Sequence, residues 1–300
     1  MIHVQNLNFS YQKGLKIIDD LSFNVPENSI FGFLGANGSG KTTAIRLLLN
    51  LYKPTTGSVL IKNKRMSSNA KTLYKNIGTL IEAPTFYSHL SAKENLKLLA
   101  NFYEVDNSRI EIVLDLVGLL HAKDKKAKTY SLGMKQRLGI ASSILHDPEI
   151  LILDEPLNGL DPKGIAEIRK LFIKFQQEDK KTILISSHQL NEIENTCSDV
   201  CIIDKGKKLF SGKIEHLKDQ LSTNDSYSIK CHDPKRAEFI LRTQLGCTEV
   251  ILTNESLKIK INNSDLIPSY IKTLVKHDID LFELSKNESN LETLYLNLTK

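Results

Sequence analysis

A short glycine-rich segment between an apolar strand and an apolar helix constrains the fold of this chain more than any other feature. The residues GANGSGKTT, from Gly35 to Thr43, match the pattern GxxxxGK[ST]. They follow the apolar run Ile30–Leu34, which is typical of a strand, and precede the apolar run Ile45–Leu51, which is typical of a helix. A strand, a glycine-rich turn and a helix in this order form a phosphate-binding loop. The segment therefore predicts an α/β fold with a phosphate site after a strand.

The composition of this loop suits the binding of phosphate oxygens. Glycine lets backbone N–H groups close around an anion, and the helix that follows points its positive end toward the same place. Lys41 adds a positive charge for the β- and γ-phosphates, and the Thr42 hydroxyl is placed to bind Mg²⁺. A flexible glycine turn is the alternative, but it does not explain the strand and the helix on either side. The residues that we expect at the phosphates are Gly35, Asn37, Gly38, Ser39, Gly40, Lys41, Thr42 and Thr43.

Two carboxylates follow a second apolar strand farther along the chain. Asp154 and Glu155 come directly after the run Ile150–Leu153. Because the carboxyl ends of parallel strands meet at one edge of a sheet, Asp154 is expected to hold the hydration shell of Mg²⁺. Glu155 is then positioned to orient or deprotonate an attacking water. Taken alone, the pair is equally consistent with a solvated acidic turn.

A histidine follows a third apolar strand. His188 comes shortly after the run Ile183–Ile185 and is preceded by two serines. A single histidine is usually structural, but this one is expected at the same edge of the sheet as the carboxylates. There it can hydrogen-bond the γ-phosphate and Glu155.

The first two-thirds of the chain and its tail show different patterns. Short apolar runs first alternate with helical segments, which is typical of an α/β fold with a largely parallel sheet. After the polar, turn-like segment Ser222–Ser226, alternating strands and helices predict a small α+β domain, with a last helix opening at Ser289. We therefore predict a main domain over residues 1–221 and an accessory domain over residues 222–300. The strand-like runs expected in the main domain are Val25–Leu34 (interrupted by Pro26–Asn28), Ile77–Ile81, Ile150–Leu153, Thr182–Ile185 and Val200–Ile203.

Two helix starts can be located from local signals. Ser91 and Glu94 form a capping-box pattern, and Asp161 precedes Pro162 as an N-cap residue precedes a proline in the first turn. The formal net charge of +5 suits work near phosphates or an anionic membrane. The sequence has neither a signal-peptide pattern nor an apolar run of the length that a spanning helix needs, so we expect a cytosolic chain. The four cysteines form no CxxC pair, which favours buried thiols over a metal site.

A further segment identifies a family resemblance. Residues 130–141, YSLGMKQRLGIA, resemble the LSGGQ signature of ABC transporter ATP-binding subunits and its continuation, and the resemblance extends over residues 1 to about 215. Ser131 and Gly133 fall on the signature serine and second glycine, whereas Tyr130, Leu132 and Met134 depart from the signature. The resemblance implies an α/β P-loop NTPase of the ABC type, with a mixed sheet core plus a helical subdomain. It also implies a head-to-tail dimer in which Ser131 and Gly133 face the γ-phosphate bound by the opposite subunit.

Other positions match the family one by one. Tyr11 lies where the family stacks an aromatic ring on adenine, although ordinary packing explains an aromatic there equally well. Asp161 closes a segment that resembles the loop crossing the dimer interface, and His188 matches the switch histidine. Glu82 stands where the family has the glutamine of the Q-loop. A carboxylate keeps an oxygen ligand for Mg²⁺ or water but loses the amide donor.

Glu82, the signature segment and the tail together resemble the subgroup that exports lantibiotics and related peptides such as bacitracin for self-protection. The resemblance implies a homodimer or heterodimer that closes around ATP and Mg²⁺, with Glu155 as catalytic base and His188 as sensor of the γ-phosphate. It also implies transmembrane permease subunits on separate chains, contacted through Glu82–Leu90, and a place at the cytoplasmic face of the membrane. No nucleic-acid partner is expected.

Three alternatives stay open from the sequence. The first is an ABC exporter subunit for a different substrate, since the permease chooses the compound. The second is a soluble ABC ATPase that acts on ribosomes or DNA, although such proteins usually carry two cassettes or long coiled-coil insertions. The third is an inactive scaffold, against which the presence of Lys41, Asp154, Glu155 and His188 argues.

Overall fold

A computed structural model of the chain describes residues 1–12, 14–217, 226–247, 249–253, 256–261 and 264–287. It divides into two compact units, Met1–Ile214 and Glu215–Lys300. The expected domain boundary between residues 221 and 222 lies outside the described residues, as does the helix expected from Ser289. Within the described ranges, no helix is both long and apolar enough to span a bilayer.

The first unit contains two sheets. Its strands are β1 (Ile2–Gln12), β2 (Leu15–Val25), β3 (Ile30–Leu34), β4 (Thr56–Ile61), β5 (Lys64–Arg65), β6 (Ile77–Leu80), β7 (Ile150–Leu153), β8 (Thr182–Ser187), β9 (Asp199–Asp204) and β10 (Lys207–Lys213). Its helices of five or more residues are α1 (Lys41–Leu48), α2 (Met66–Leu73), α3 (Ala92–Tyr103), α4 (Ser108–Leu116), α5 (Leu132–Ile144), α6 (Pro162–Gln177) and α7 (Leu190–Glu194).

The larger sheet is mostly parallel and positions the site. Its strand order is β10-β9-β3-β8-β7-β6, and only β10 runs antiparallel to its neighbour. Strands β3, β7 and β8 are buried along their whole length, which is why they appear in the sequence as continuous apolar runs. The predicted strands of this sheet are confirmed, except that Val25 ends β2 and does not belong to β3.

The smaller sheet, with the order β2-β1-β4-β5, is antiparallel and was not predicted. Strands β1 and β2 carry residues with positive φ at Asn6 (44°) and Asp20 (54°), and their pairing shifts register between Val4 and Leu7. Each shift breaks the alternation of apolar and polar residues by which a strand is identified. Helix α1 shares one apolar core with both sheets, so the phosphate loop is fixed between them.

Helices α3, α4 and α5 lie between β6 and β7 in the chain and pack on one another. The predicted capping box is confirmed at the start of α3: Ser91 Oγ accepts from the Glu94 N–H at 3.1 Å, and Glu94 Oε2 accepts from the Ser91 N–H at 2.7 Å. The predicted start of α6 is confirmed as well, since the Asp161 side chain accepts from the Gly164 N–H at 3.0 Å.

The second unit is a small α+β domain, as predicted. Its elements are β11 (Ser226–Cys231), α8 (Pro234–Gln244), β12 (Val250–Leu252), β13 (Leu257–Lys260), α9 (Ile267–Lys276) and β14 (Leu281–Asn287). The four strands form an antiparallel sheet in the order β12-β13-β11-β14, which is a split β-α-β-β-α-β arrangement. Apolar residues from the sheet and both helices form its core, among them Ile229, Leu241, Ile259 and Leu274.

Candidate functional site

The glycine-rich loop connects β3 to α1 and has a shape that side chains would obstruct. Gly38 and Gly40 adopt positive φ angles of 81° and 105°, a region that other residues rarely enter. A Cβ on Gly35 would lie 2.4 Å from Ser39 Oγ and 2.7 Å from the Ile203 carbonyl oxygen. The loop therefore needs glycine at these positions. Helix α1 begins directly after it, at Lys41, without a side-chain cap.

Lys41 is nearly buried and its ammonium group lies within the loop. Its Nζ donates to the carbonyl oxygens of Gly35 at 2.7 Å and Ala36 at 3.2 Å. The same Nζ is 3.4 Å from Glu155 Oε1, so the two charges face each other across the site. The Lys41 ammonium group, which the sequence assigns to phosphate binding, thus lies against the loop backbone and next to the candidate base, Glu155.

Asp154 is 2% exposed, and each of its two oxygens accepts a hydrogen bond. The Thr42 hydroxyl donates to Oδ2 at 2.7 Å, and the Ser186 hydroxyl donates to Oδ1. These contacts join the end of β7 to the start of α1 and the end of β8. The structure thus brings Thr42 and Asp154 together at one edge of the sheet, and their part in Mg²⁺ binding stays a prediction.

Glu155 lies at the centre of the site in a strained backbone conformation. Its φ is +48°, which is uncommon for a residue with a side chain. Its Oε2 is 2.9 Å from His188 Nδ1, while Oε1 faces Lys41. The structure therefore brings together the predicted base, the predicted sensor histidine and the phosphate-loop lysine.

A buried carboxyl supports the strand end behind His188. Glu192, on α7, is 7% exposed and its Oε2 accepts from the Ser187 hydroxyl at 2.7 Å. Burial raises the pKa of Glu192, and the nearby charge of Glu155 acts in the same direction, whereas the bond from Ser187 opposes the shift. This carboxyl was not singled out in the sequence.

The loop fits a nucleotide phosphate group. Ser39 is 3% exposed, and its hydroxyl oxygen has no hydrogen-bond partner among the described residues although it faces Gly35 across the loop. A buried hydroxyl without a partner is unfavourable unless a ligand satisfies it. Thr42 and Asp154 supply oxygen donors, which Mg²⁺ prefers. Among the described side chains, no group of three or more His, Cys, Asp or Glu forms a metal-binding cluster.

Tyr11 lies on the rim of the loop and is 53% exposed. Its hydroxyl is 3.1 Å from Thr43 Oγ1, and its ring packs edge-on against Phe9 and Tyr52 with centroid distances of 4.9 Å and 5.7 Å. The ring is therefore held in place by neighbouring aromatic residues while remaining accessible. An accessible, fixed ring suits stacking on a base.

Glu82 forms its ion pair with helix α1. Its backbone has a φ of +55°, and its Oε1 is 2.6 Å from Arg46 Nη2. Burial acts to lower the pKa of Arg46, but the charge of Glu82 opposes it and the pKa is raised. Arg46 also donates to the Tyr52 hydroxyl at 3.1 Å. Within the described part of the chain no contact joins Glu82 to Thr42 or Asp154, so its expected part in Mg²⁺ binding stays a prediction.

Ser131 and Gly133, which the family resemblance assigns to a second site, lie at the start of α5. The Ser131 hydroxyl caps the helix by accepting from the Met134 N–H at 3.2 Å. A Cβ on Gly133 would lie 3.1 Å from the Gly159 carbonyl oxygen, so this helix end packs on the loop before Asp161. Asp161 itself caps α6. Among the residues that the structure describes, no contact joins this second site to the phosphate loop.

The sequence assigned no role to three residues that organise these sites: Ser186, Gln136 and Arg46. Ser186 holds both Asp154 and the N–H of Glu155, the latter at 2.8 Å. Gln136, on α5, donates from Nε2 to the carbonyl oxygen of Glu155 at 3.0 Å. Ser186 belongs to the serine pair before His188, and Gln136 belongs to the KQR continuation of the signature. Neither sequence pattern indicates which groups these side chains bind.

Comparisons with known proteins agree with this geometry. A family model described as ABC transporter matches residues 18–158. The bacitracin transport ATP-binding protein BcrA of Bacillus licheniformis is 39% identical over 94% of this chain and 92% of its own length. The lantibiotic transport ATP-binding protein SrtF of Streptococcus pyogenes is 40% identical over 69% of this chain and 88% of its own.

Solved structures show the same fold. A dimeric post-hydrolysis state of the ATP-binding cassette MJ0796, bound to ADP and Pi, superposes with a TM-score of 0.66 at 25% identity, over 71% of this chain and 99% of that one. The predictions of the fold class and of an ATPase are confirmed. The chain belongs to the family of ABC transporter ATP-binding proteins, and it is the ATP-hydrolysing subunit of such a transporter.

Proposed function

We propose that two copies of this chain close head to tail around ATP and Mg²⁺ at the cytoplasmic face of the membrane and drive a separate permease. The cluster of Lys41, Asp154, Glu155 and His188 carries this proposal, because it places an ammonium group, two carboxylates and an imidazole ring at one sheet edge. Residues 1–221 bind ATP in this proposal, and residues 222–300 form an accessory domain.

The residues of the chain divide the chemistry among them. Lys41 neutralises the β- and γ-phosphates, and the loop N–H groups hold their oxygens. Glu155 orients the attacking water and accepts its proton, while His188 holds the carboxylate and contacts the γ-phosphate. Thr42 and Asp154 would hold Mg²⁺, which would supply positive charge to offset the negative charge of the phosphates.

The second copy completes each site. Ser131 and Gly133 lie at the N-terminus of α5, where free N–H groups attract an anion, yet no described contact joins them to the phosphate loop of their own chain. In the proposed dimer they face the γ-phosphate that the opposite chain holds. ATP then favours closure because it contacts the phosphate loop of one chain and the α5 N-terminus of the other at the same time only in the closed dimer. Hydrolysis removes these contacts.

The permease is proposed to dock on the segment that follows β6. Residues 83–87 of this segment line a cleft together with Leu98 and Leu99 of α3, and Tyr87 is 61% exposed there. Glu82 connects this surface to α1 through Arg46. Movement of α1 relative to the helical region can therefore reach the docked subunit.

The transported compound is proposed to be a lantibiotic, bacitracin or a similar antimicrobial peptide, exported for self-protection. The likeness to the bacitracin transport protein of Bacillus licheniformis supports this, because it extends over 94% of the chain and includes the second unit. Glu82 in place of the family glutamine adds support.

The test compares the growth of cells that carry the native permease with either the wild-type chain or the Glu155→Gln variant. We expect wild-type cells to tolerate bacitracin or a lantibiotic at concentrations that stop variant cells. Equal sensitivity to every peptide tested, in cells whose wild-type chain hydrolyses ATP, would contradict the peptide assignment and leave another exported substrate.

A further inference from the structure

We infer that Gln136 is a positioning residue for Glu155: its side-chain amide holds the backbone of the base in its strained conformation. The inference rests on the proposed role of Glu155 and extends it. Gln136 is 5% exposed, and its Nε2 donates to the Glu155 carbonyl oxygen at 3.0 Å. The two residues lie on different elements, α5 and the turn after β7, so this bond ties the helix to the turn.

Glu155 needs such support because its backbone is unfavourable by itself. A glutamate with a φ of +48° persists only where surrounding contacts hold it. Side chains bind both of its peptide groups: its N–H donates to Ser186 Oγ at 2.8 Å, and its carbonyl oxygen accepts from Gln136. The carbonyl also accepts from the Asn158 N–H at 3.2 Å, within the turn.

Loss of the Gln136 bond leaves the Glu155 carbonyl oxygen with a single bond, from the Asn158 N–H, so the strained peptide loses its tie to α5. Rotation of that peptide would carry the Glu155 carboxylate away from Lys41 and His188, which face its two oxygens at 3.4 Å and 2.9 Å. The base would then be present but misplaced. Misplacement of a reacting group by about 1 Å can slow catalysis by about a hundredfold.

The contact requires a hydrogen-bond donor on a long side chain. An amide N–H can donate to a carbonyl oxygen, whereas an ionised carboxylate can only accept. Asparagine offers the same amide on a side chain one methylene shorter. Glutamine at residue 136 is therefore specific to this contact, and methionine is a suitable replacement that keeps the length but removes the donor.

Helix α5 thus takes part in both sites of the proposed dimer. Ser131 caps its N-terminus and faces the nucleotide of the opposite chain, while Gln136, five residues later and about 7.5 Å along the axis, holds the base of its own chain. A substitution at Gln136 is therefore expected to act on the base of the same chain, Glu155.

The first experiment measures ATP hydrolysis by the full-length Gln136→Met variant. We expect kcat to fall about tenfold to a hundredfold while KM for ATP changes less than about twofold. The matched control is Ser143→Ala, which removes another buried hydrogen bond on α5, from Ser143 Oγ to the Ile140 carbonyl oxygen, far along the helix from Glu155. The control is expected to keep the wild-type kcat.

A second variant, Gln136→Leu, stays neutral and also removes the donor, so it tests the inference if the methionine variant does not fold. A folded variant of either kind with wild-type kcat would overturn the inference. An equal fall in kcat for Ser143→Ala would overturn it as well, because the effect would then belong to the helix as a whole.

The second experiment assigns the effect to one site by using mixed dimers of two differently tagged chains. When Gln136→Met is in one chain and Glu155→Gln is in the other, the remaining base belongs to the chain that lacks the glutamine amide, and we expect slow hydrolysis. When both changes are in the same chain, the remaining base belongs to the unchanged chain. We then expect the rate of a mixed dimer that carries only Glu155→Gln, in one of its two chains. The reverse result would overturn the inference.

The two proposals fail in different ways. Failure of the chains to associate at saturating ATP would contradict the proposed dimer, and the rates of the single variants would still decide the role of Gln136. Association with unaltered kcat in Gln136→Met would contradict this inference and leave the dimer standing.

Discussion

Replacement of Ser186 by alanine tests whether the site is held together as the structure indicates. Ser186 is 1% exposed, and its hydroxyl donates to Asp154 Oδ1 while accepting from the Glu155 N–H at 2.8 Å. The substitution removes one hydrogen bond to a buried carboxylate and leaves one buried N–H without a partner. Each loss is worth about 1–3 kcal/mol, and since the two share one hydroxyl we expect a total of about 2–4 kcal/mol.

This loss is measurable by urea unfolding followed by circular dichroism, since the chain contains no tryptophan. With a urea dependence of about 3 kcal/mol/M, a loss of about 3 kcal/mol moves the midpoint of the first unit down by about 1 M. ATP hydrolysis is expected to fall with it, because the same hydroxyl holds the backbone of Glu155.

The matched control is Ser143→Ala. Ser143 is 2% exposed, but its hydroxyl bonds only a carbonyl oxygen of its own helix, so we expect a loss of less than about 1 kcal/mol and normal ATP hydrolysis. Equal urea midpoints for the two variants would refute the reasoning, because the Ser186 hydroxyl would then stabilise the fold no more than the Ser143 hydroxyl does.

Three further predictions follow from other contacts. Tyr11→Leu is expected to raise KM for ATP about threefold to tenfold, and Tyr11→Phe, which keeps the ring, to raise it far less; equal effects would contradict base stacking. Glu82→Gln should keep ATP binding but change the rate of ATP hydrolysis in the presence of the permease. The double variant Arg46→Glu, Glu82→Arg, which exchanges the two charges, should restore the permease-dependent hydrolysis that either single change loses, and a double-mutant cycle measures this coupling. Burial raises the folded-state pKa of Glu192 above 4.5, so its contribution to stability is complete below that pH and is lost as pH rises through the folded-state pKa. Glu192→Gln should therefore gain urea stability relative to wild type as pH rises above 4.5, and a difference that stays constant with pH would contradict the shift.

The sequence predicted the parts of the site that depend on strands ending at one sheet edge. Asp154 and His188 could be placed near the phosphate loop because each follows a continuous apolar run, and such runs are typical of buried parallel strands. Their contacts, Thr42 with Asp154 and His188 with Glu155, then follow from the topology alone.

The remaining contacts have no local signature. Gln136 bonds a carbonyl oxygen 19 residues away in the chain, and Arg46 pairs with a residue 36 positions away. A glutamine or an arginine on a helix gives no sign of which distant group it binds, since that depends on how the helices pack. The antiparallel sheet was missed for a related reason, because the bulges near Asn6 and Asp20 break its alternation.

The central claim is that ATP joins two copies of this chain, and the Glu155→Gln variant tests it most directly. We expect light scattering to give twice the mass of one chain at saturating ATP with Mg²⁺, and the mass of one chain without nucleotide. Addition of Lys41→Ala should abolish the doubling by weakening phosphate binding, and addition of Ser131→Arg should abolish it by blocking the opposite face. A Glu155→Gln chain that is saturated with ATP and keeps the mass of a single chain would contradict the account.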